Sequence, residues 1–327
     1  MIGGGVARRS AELSAAVEGY WFVKTREMTP AARDGSARSG RATPDVSVVV
    51  GLSPETVDLR RLAERVHRAL TEAGRSYELI VVDETHARSI QESVRRLVDE
   101  GYPVRLLIRH GSRDYSRALA EGLRRARGNL LVCMDADLSH PPEAIPLLLD
   151  AIEQEQAELA LGLRYVSRDS AQTLSLDRVA LSKIGLLMAR PFTSASDPLT
   201  EFFALTRSLF KRADSLEPTG SKLALELLVK ARPAKVRELP FAFHPRTYGH
   251  GRMSLEGLWK FLVHLKRLAD YRFGLMSTLF QFLAVGGTGT VVDFAALNGL
   301  LYAHMPLTSA RAVAIWIAMT WNFFLNR

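Results

Sequence analysis

Cysteine is almost missing from this chain: of 327 residues only Cys133 is one, so no intrachain disulfide can form and a reducing compartment is the simpler expectation. Cys133 lies inside an apolar run, where a thiol usually packs rather than reacts. The first 44 residues lack the long apolar core and cleavage pattern of a secretory signal, carrying only a brief apolar patch at 20–23, so the amino-terminal half is expected to stay in the cytosol. There is no zinc-ligand spacing, no Walker loop, no interleaving of basic and aromatic residues and no internal repeat, and nucleic-acid binding is therefore not expected. The formal net charge of +8 suits phosphorylated substrates or an anionic membrane as well as it suits nucleic acid, and position has to decide.

What is present is a strong division of composition. Residues 1–44 are rich in Gly, Ala, Arg and Ser and are expected to form a disordered arm. From Pro44 an alternation begins. Apolar runs at 46–50, 78–82, 104–108, 130–134 and 157–161 have the length of buried strands, and 57–70, 89–98, 116–127 and 142–153 have helical periodicity between them. Short apolar strands alternating with helical periods predict an α/β fold: a Rossmann-like, mostly parallel sheet with helices on both faces.

The fourth run ends in Asp135-Ala136-Asp137, followed by Leu138-Ser139-His140-Pro141-Pro142. Two carboxylates one residue apart at a strand end can share a hard divalent cation, which would in turn hold a diphosphate. The alternative is that both only cap the turn and the Pro141-Pro142 helix start. In parallel sheets ligands sit beyond the carboxyl ends of the strands, and Asp83 falls at another such end, so three carboxylates can converge on one ligand.

Residues 253–273 place Leu255, Leu258, Trp259, Leu262, Leu265 and Leu268 on one helical face among Lys260, Lys266, Arg267 and Arg272, the make-up of an interfacial amphipathic helix, with a core helix as the alternative. Residues 275–305 are apolar for long enough to cross a bilayer and 308–325 to cross back, which predicts two transmembrane helices. Gly286, Gly287 and Gly289 permit close helix contact, whereas Asp293 is costly in hydrocarbon and is expected to face a partner helix, a cavity or a headgroup. Basic residues before the first span and Arg327 after the second put both ends, and the catalytic domain, in the cytoplasm of a multi-pass membrane protein.

The blocks Cys133 to Glu143, Leu161-Gly162-Leu163-Arg164-Tyr165-Val166 and Ser196-Asp197-Pro198-Leu199-Thr200-Glu201-Phe202-Phe203-Ala204-Leu205 resemble the polyprenol (dolichol) phosphate mannosyltransferases and their glucosyl relatives, family 2 glycosyltransferases of the GT-A fold. The resemblance covers roughly residues 45–268. It implies transfer of a hexose from a nucleotide sugar, GDP-mannose first and UDP-glucose as the competing donor, to a polyprenyl or dolichyl phosphate, with Mg or Mn as cofactor. Carried over by motif, Asp135, Asp137 and Ser139 are the expected metal site. Glu55, Asp83, Arg246 and Arg252 are the expected donor contacts, and Arg164, Arg178 and Ser182 face the acceptor phosphate, Asp137, Arg164 and Arg178 being the catalytic set. Arg178 and Arg252 also fit solvated surface charges.

The sequence departs from that pattern in places. Gly51-Leu52-Ser53-Pro54-Glu55 keeps only the acid of Pro-X-Tyr-Asn-Glu, and Asp83-Glu84-Thr85-His86 replaces Asp-Asp-Gly-Ser and loses its turn glycine. Ser139 replaces a glutamine, and Glu201 a glycine. Those changes imply an altered donor preference or weaker catalysis, and keep open a scaffold with no activity.

Phe282-Leu283-Ala284-Val285-Gly286-Gly287 and Asn322-Phe323-Phe324-Leu325-Asn326-Arg327 resemble the GtrA family, which implies a part in moving lipid-linked sugars. That family has four spans, so a partial GtrA-like domain with two is expected, with homo-oligomer formation through these helices left open. The expected domains are thus the arm at 1–44, the GT-A domain at 45–252, the juxtamembrane helix at 253–274 and the membrane domain at 275–327.

Overall fold

The computed structural model describes residues 43–52, 58–111, 114–165, 184–213, 215–218, 222–242 and 255–325, so the expected arm, apart from its last two residues, lies outside the described residues. The alternation is realised as β1 (Val46–Gly51), α1 (Leu59–Glu72), β2 (Tyr77–Asp83), α2 (Arg88–Asp99), β3 (Val104–Ile108), α3 (Tyr115–Arg125), β4 (Leu130–Asp135), a 3-10 turn (Pro142–Ala144) running into α4 (Ile145–Glu153), and β5 (Leu159–Tyr165). After α5 (residues 184–189) come β6 (Phe203–Thr206), α6 (Arg207–Arg212), α7 (Leu223–Lys230) and β7 (Val236–Ala242), none of which the periodicity singles out.

The seven strands form one sheet in the order β3-β2-β1-β4-β6-β5-β7. Only β6, antiparallel to β4 and β5, runs against the rest among the described strands. β7 is an edge strand, which is where Pro240, lacking a donor, is tolerated. Two apolar clusters cover the two faces: Val48, Val50, Leu62, Val66 and Leu148 on one, Val49, Ile80, Leu119, Leu123 and Leu227 on the other. Strands buried on both faces are nearly continuous in apolar residues, as β1 is apart from Ser47 and β4 apart from its terminal Asp135.

The chain divides into two compact units, Met1–His264 and Leu265–Arg327. The boundary falls inside α8 (Leu255–Phe273), which is followed by α9 (Leu275–Tyr302) and α10 (Leu307–Leu325). α8 differs from expectation in one respect. Leu265 and Leu268 do not share an exposed face with Trp259: with Phe261 and His264 they are buried at the spacing i, i+3, i+4, i+7, while Trp259 is 67% exposed and Leu262 is also exposed. The helix thus carries a buried stripe on one side and exposed apolar residues on another.

In the second unit Asp270 locks the corner between α8 and α9, accepting from Lys266, Ser277 (2.9 Å) and Gln281 (2.6 Å) across Gly274, whose φ of 51° suits glycine. α9 and α10 pack side by side: Asn322 lies where a Cβ on Gly289 would be, and Trp321 Nε1 donates to Thr288 Oγ1 at 3.2 Å. Oδ1 of Asp293 is buried with no partner among the described residues. Among the described residues α9 is the helix long and apolar enough to cross a membrane.

Candidate active site

The strand order reverses between β1 and β4, which opens a crevice at their carboxyl ends. Gly51 pairs with Asp135 on one side and Val82 on the other, so Asp83 lies one residue beyond the level of Asp135. The sheet thus delivers Asp83 and the Asp135-Asp137 segment to one edge, as the sequence predicts.

Asp83 is fully buried. Its Oδ1 accepts from the amide (2.7 Å) and hydroxyl (2.6 Å) of Thr85, while its Oδ2 has no partner among the described residues. Loss of the turn glycine does not open this loop: the Thr85 hydroxyl closes it by bonding Asp83 and accepting from the Ala87 amide at 3.2 Å. The left-handed position falls on His86 (φ 58°), a residue type that tolerates it better than most. The His86 ring faces that of His110 at 4.8 Å, and Glu84 pairs with Arg109 and accepts from the Asp114 amide.

The loop after β4 is braced from several directions. Oδ1 of Asp135 accepts from the Tyr115 hydroxyl at 2.5 Å, and the Asp135 amide donates to Nδ1 of His140 at 2.8 Å. An imidazole that accepts at Nδ1 carries its proton on Nε2 when neutral, and Nε2 lies 3.7 Å from Oδ2 of Asp135. The His140 ring stacks on Phe202 at 5.2 Å, and Gly162 makes room for that phenyl, since a Cβ there would stand 2.6 Å from Phe202 Cδ1. Leu138 takes a left-handed φ of 61° and packs against the core, which tightens the turn so that the Ser139 amide reaches Oδ1 of Asp137 at 2.9 Å. Burial, then Asp135, then Glu201 push the Tyr115 phenol well above its ordinary pKa, so that it remains a hydrogen-bond donor. Burial, followed by Glu201, does the same to the Cys133 thiol, consistent with packing. Asp197 makes its own turn, its Oδ1 accepting from the Leu199 amide at 3.2 Å.

Asp83, Asp135, Asp137 and Ser139 are thus brought to the crevice rim. For Ser139 the contact seen is its amide to Asp137, not its hydroxyl to a ligand position. Glu55, Arg178, Ser182, Arg246 and Arg252 lie outside the described residues; Arg164 is in β5, with its side chain outside them. No group of three or more His, Cys, Asp or Glu with metal-holding geometry occurs among the described residues. Two carboxylates nevertheless fit a hard cation that arrives with a diphosphate, because Mg²⁺ commonly takes one or two protein carboxylates and completes its shell with phosphate oxygens and water. Sequence reasoning overlooked Tyr115 and His140, although the His140-Pro141-Pro142 run was visible.

A concavity of about 350 Å³ lies along α3 but includes none of these acids. Its arginines brace the neighbouring loop, Arg117 donating to the Pro218 carbonyl and Arg124 to that of Leu216.

A mostly parallel sheet carries an Asp-X-Asp segment and a buried acid at its switch point, and the chain is a glycosyltransferase, as its relatives show. Residues 55–213 match the model of Glycosyl transferase family 2, and residues 281–327 match that of the GtrA/DPMS transmembrane domain. The dolichol-phosphate mannosyltransferase of Mycosarcoma maydis is 37% identical over 260 residues, covering 76% of this chain and 87% of that one. Its counterpart in Pyrococcus furiosus is 31% identical, covering 86% and 79%. The chain belongs to the dolichol-phosphate mannosyltransferase family. Among solved structures, glucosyl-3-phosphoglycerate synthase from Mycobacterium tuberculosis with Mn²⁺ and UDP-glucose is 17% identical, with a TM-score of 0.48 over 74% of this chain and 84% of that one. The matched transmembrane domain and the apolar α9 make this a membrane protein.

Proposed function

We propose that this chain transfers a mannosyl residue, with inversion, from GDP-mannose to the phosphate of a polyprenol such as dolichol. One observation carries the reading: Gly51 pairs with Asp135 across the β1–β4 crevice, setting the Asp-X-Asp at the ligand-binding edge of a chain whose relatives bear the name of that reaction. Asp137 and Asp135 would hold a Mg²⁺ or Mn²⁺ ion, which when bound neutralises charge on the departing nucleoside diphosphate. Asp83, whose Oδ2 has no partner among the described residues, and Glu55 are assigned to the nucleoside, Arg246 and Arg252 to the donor diphosphate, and Arg164, Arg178 and Ser182 to the acceptor phosphate.

Little more than charge placement is required of the protein. A phosphate monoester is already anionic near neutral pH and attacks the anomeric carbon without a strong base. The arginines orient it in line, and the bond to the diphosphate oxygen breaks as the bond to the acceptor phosphate forms. The proposed domains are the catalytic part at 45–252, the juxtamembrane helix at 253–274 and a two-span membrane part at 275–327. Trp259 and Leu262 would lie at the interface, with the catalytic part on the cytoplasmic side.

The test mixes full-length protein in detergent with Mn²⁺ or Mg²⁺, a short polyprenyl phosphate and either labelled GDP-mannose or labelled UDP-glucose. Extractable labelled lipid is expected from GDP-mannose, with loss of product in EDTA and in Asp137→Ala. Product from UDP-glucose alone would reassign the donor to the glucosyl relatives. Equal, null results for wild type and Asp137→Ala would favour a scaffold or a transport partner over an enzyme.

A further inference from the structure

Asp135 is held from outside its own loop. Tyr115 opens α3, 20 residues upstream, and its hydroxyl is the donor to Oδ1 of Asp135. The backbone that carries Tyr115 is fixed on both sides: the Asp114 amide is held by Glu84, and the Ser116 hydroxyl accepts from the Lys222 amide at 2.8 Å. The ring also needs a space, and Gly51 supplies it. A Cβ on Gly51 would stand 2.7 Å from Tyr115 Cε2 and 3.1 Å from Cδ2, closer than a side chain tolerates. Gly51 is the register partner of Asp135, so the residue that admits the ring and the carboxylate that receives the hydroxyl are neighbours across the β1–β4 pairing.

We propose that Tyr115 is a positioning residue for the nucleotide-bound cation: its hydroxyl fixes the Asp135 carboxylate in one rotamer, and Gly51 is glycine in order to admit the ring. This rests on the reading of Asp135 and Asp137 as the cation pair. The physical ground is that a ligating carboxylate binds well only when its own orientation is restrained, and loss of such a restraining hydrogen bond typically weakens metal binding about 10- to 100-fold. The phenol replaces nothing in the coordination shell. It holds one oxygen of Asp135, leaving the orientation of the carboxylate defined before any ligand arrives.

The experiment measures Mn²⁺ affinity by electron paramagnetic resonance of the full chain in detergent at saturating GDP, alongside the melting temperature and the Mn²⁺ dependence of sugar transfer. For Tyr115→Phe the expected result is Mn²⁺ binding weaker by about 10-fold or more, with the maximal rate recovered at high Mn²⁺. Gly51→Ala, which keeps the hydroxyl but displaces the ring, is expected to weaken Mn²⁺ binding similarly. The double variant is expected to be no worse than the weaker single one, because both act on the same contact.

Unchanged Mn²⁺ affinity in Tyr115→Phe, or full additivity of the two variants, overturns the proposal, as does a fall in melting temperature with affinity intact. Asp137→Ala separates the two levels of inference. If it abolishes Mn²⁺ binding while Tyr115→Phe does not alter it, only the positioning role fails; if Asp137→Ala binds as wild type does, the cation pair fails with it.

Discussion

The Asp135 amide donates to Nδ1 of His140 over 2.8 Å, and this short-range bond closes the loop that presents both acids of the Asp-X-Asp. His140 is 2% exposed and its other face lies on Phe202, so neither partner of the bond has water as a substitute. Replacing His140 by Leu strands a buried amide, at a cost of about 1–3 kcal/mol. His140→Asn keeps an acceptor near the same place and loses the ring stack, worth about 0.5–1.5 kcal/mol. The expected order of melting temperatures is wild type, His140→Asn, His140→Leu, measured by thermal unfolding in detergent. Equal values for the two variants would show that the stack, not the amide bond, holds the loop.

Asp83 behaves differently, because one of its oxygens is used and the other has no partner among the described residues. Asp83→Asn retains a carbonyl oxygen for the two Thr85 donors and exchanges the unpartnered acceptor for a donor. Stability is expected to hold within about 1 kcal/mol, since one buried group without a partner is exchanged for another and both carry a similar desolvation cost. If that oxygen is kept for a nucleoside hydroxyl, GDP affinity falls roughly 10-fold, the equivalent of about 1.4 kcal/mol. Isothermal calorimetry reads this directly; a lower melting temperature with unaltered GDP affinity would make Asp83 a structural residue only.

Glu78, far from the crevice, sets part of the acid limit of stability. Burial raises its pKa, but bonds from Arg105 (2.6 Å), Ser47 (2.7 Å) and the amide and side chain of Arg127 outweigh it, and the net shift is downward. A carboxylate with a folded-state pKa below its unfolded value contributes stability that is fully present above the unfolded pKa and is lost as pH falls through the folded one. The wild type is therefore expected to lose melting temperature between roughly pH 5 and pH 3. Glu78→Gln is expected to start lower at pH 7 and to lose less over the same interval. Parallel curves for the two proteins would remove Glu78 from the acid transition.

The sequence by itself determined the alternation, because strands of a sheet covered on both faces are mostly apolar, and β1 to β4 announce themselves within a residue or two of their ends even with Ser47, Glu78 and Arg105 among them. It also determined that acids stand at the ends of β2 and β4, and that a long apolar helix follows residue 274. β6 and β7 were not legible. One is four residues long, the other is interrupted by Pro240, and each finds its place only in the sheet, β6 between β4 and β5 and β7 beside β5.

Tertiary structure alone decided how the site is braced. Tyr115 and Gly51 are 64 positions apart and meet because α3 returns over the β1–β4 crevice. His86 takes up a left-handed turn although the spelling Asp-Glu-Thr-His carries no glycine. α8 divides its leucines between a buried face and an exposed one in a way that periodicity cannot assign, because a helical stripe records which residues are apolar and not which side of the helix meets protein. Local pattern specifies elements; contacts between residues distant in sequence depend on crossovers and register, which only the folded chain possesses.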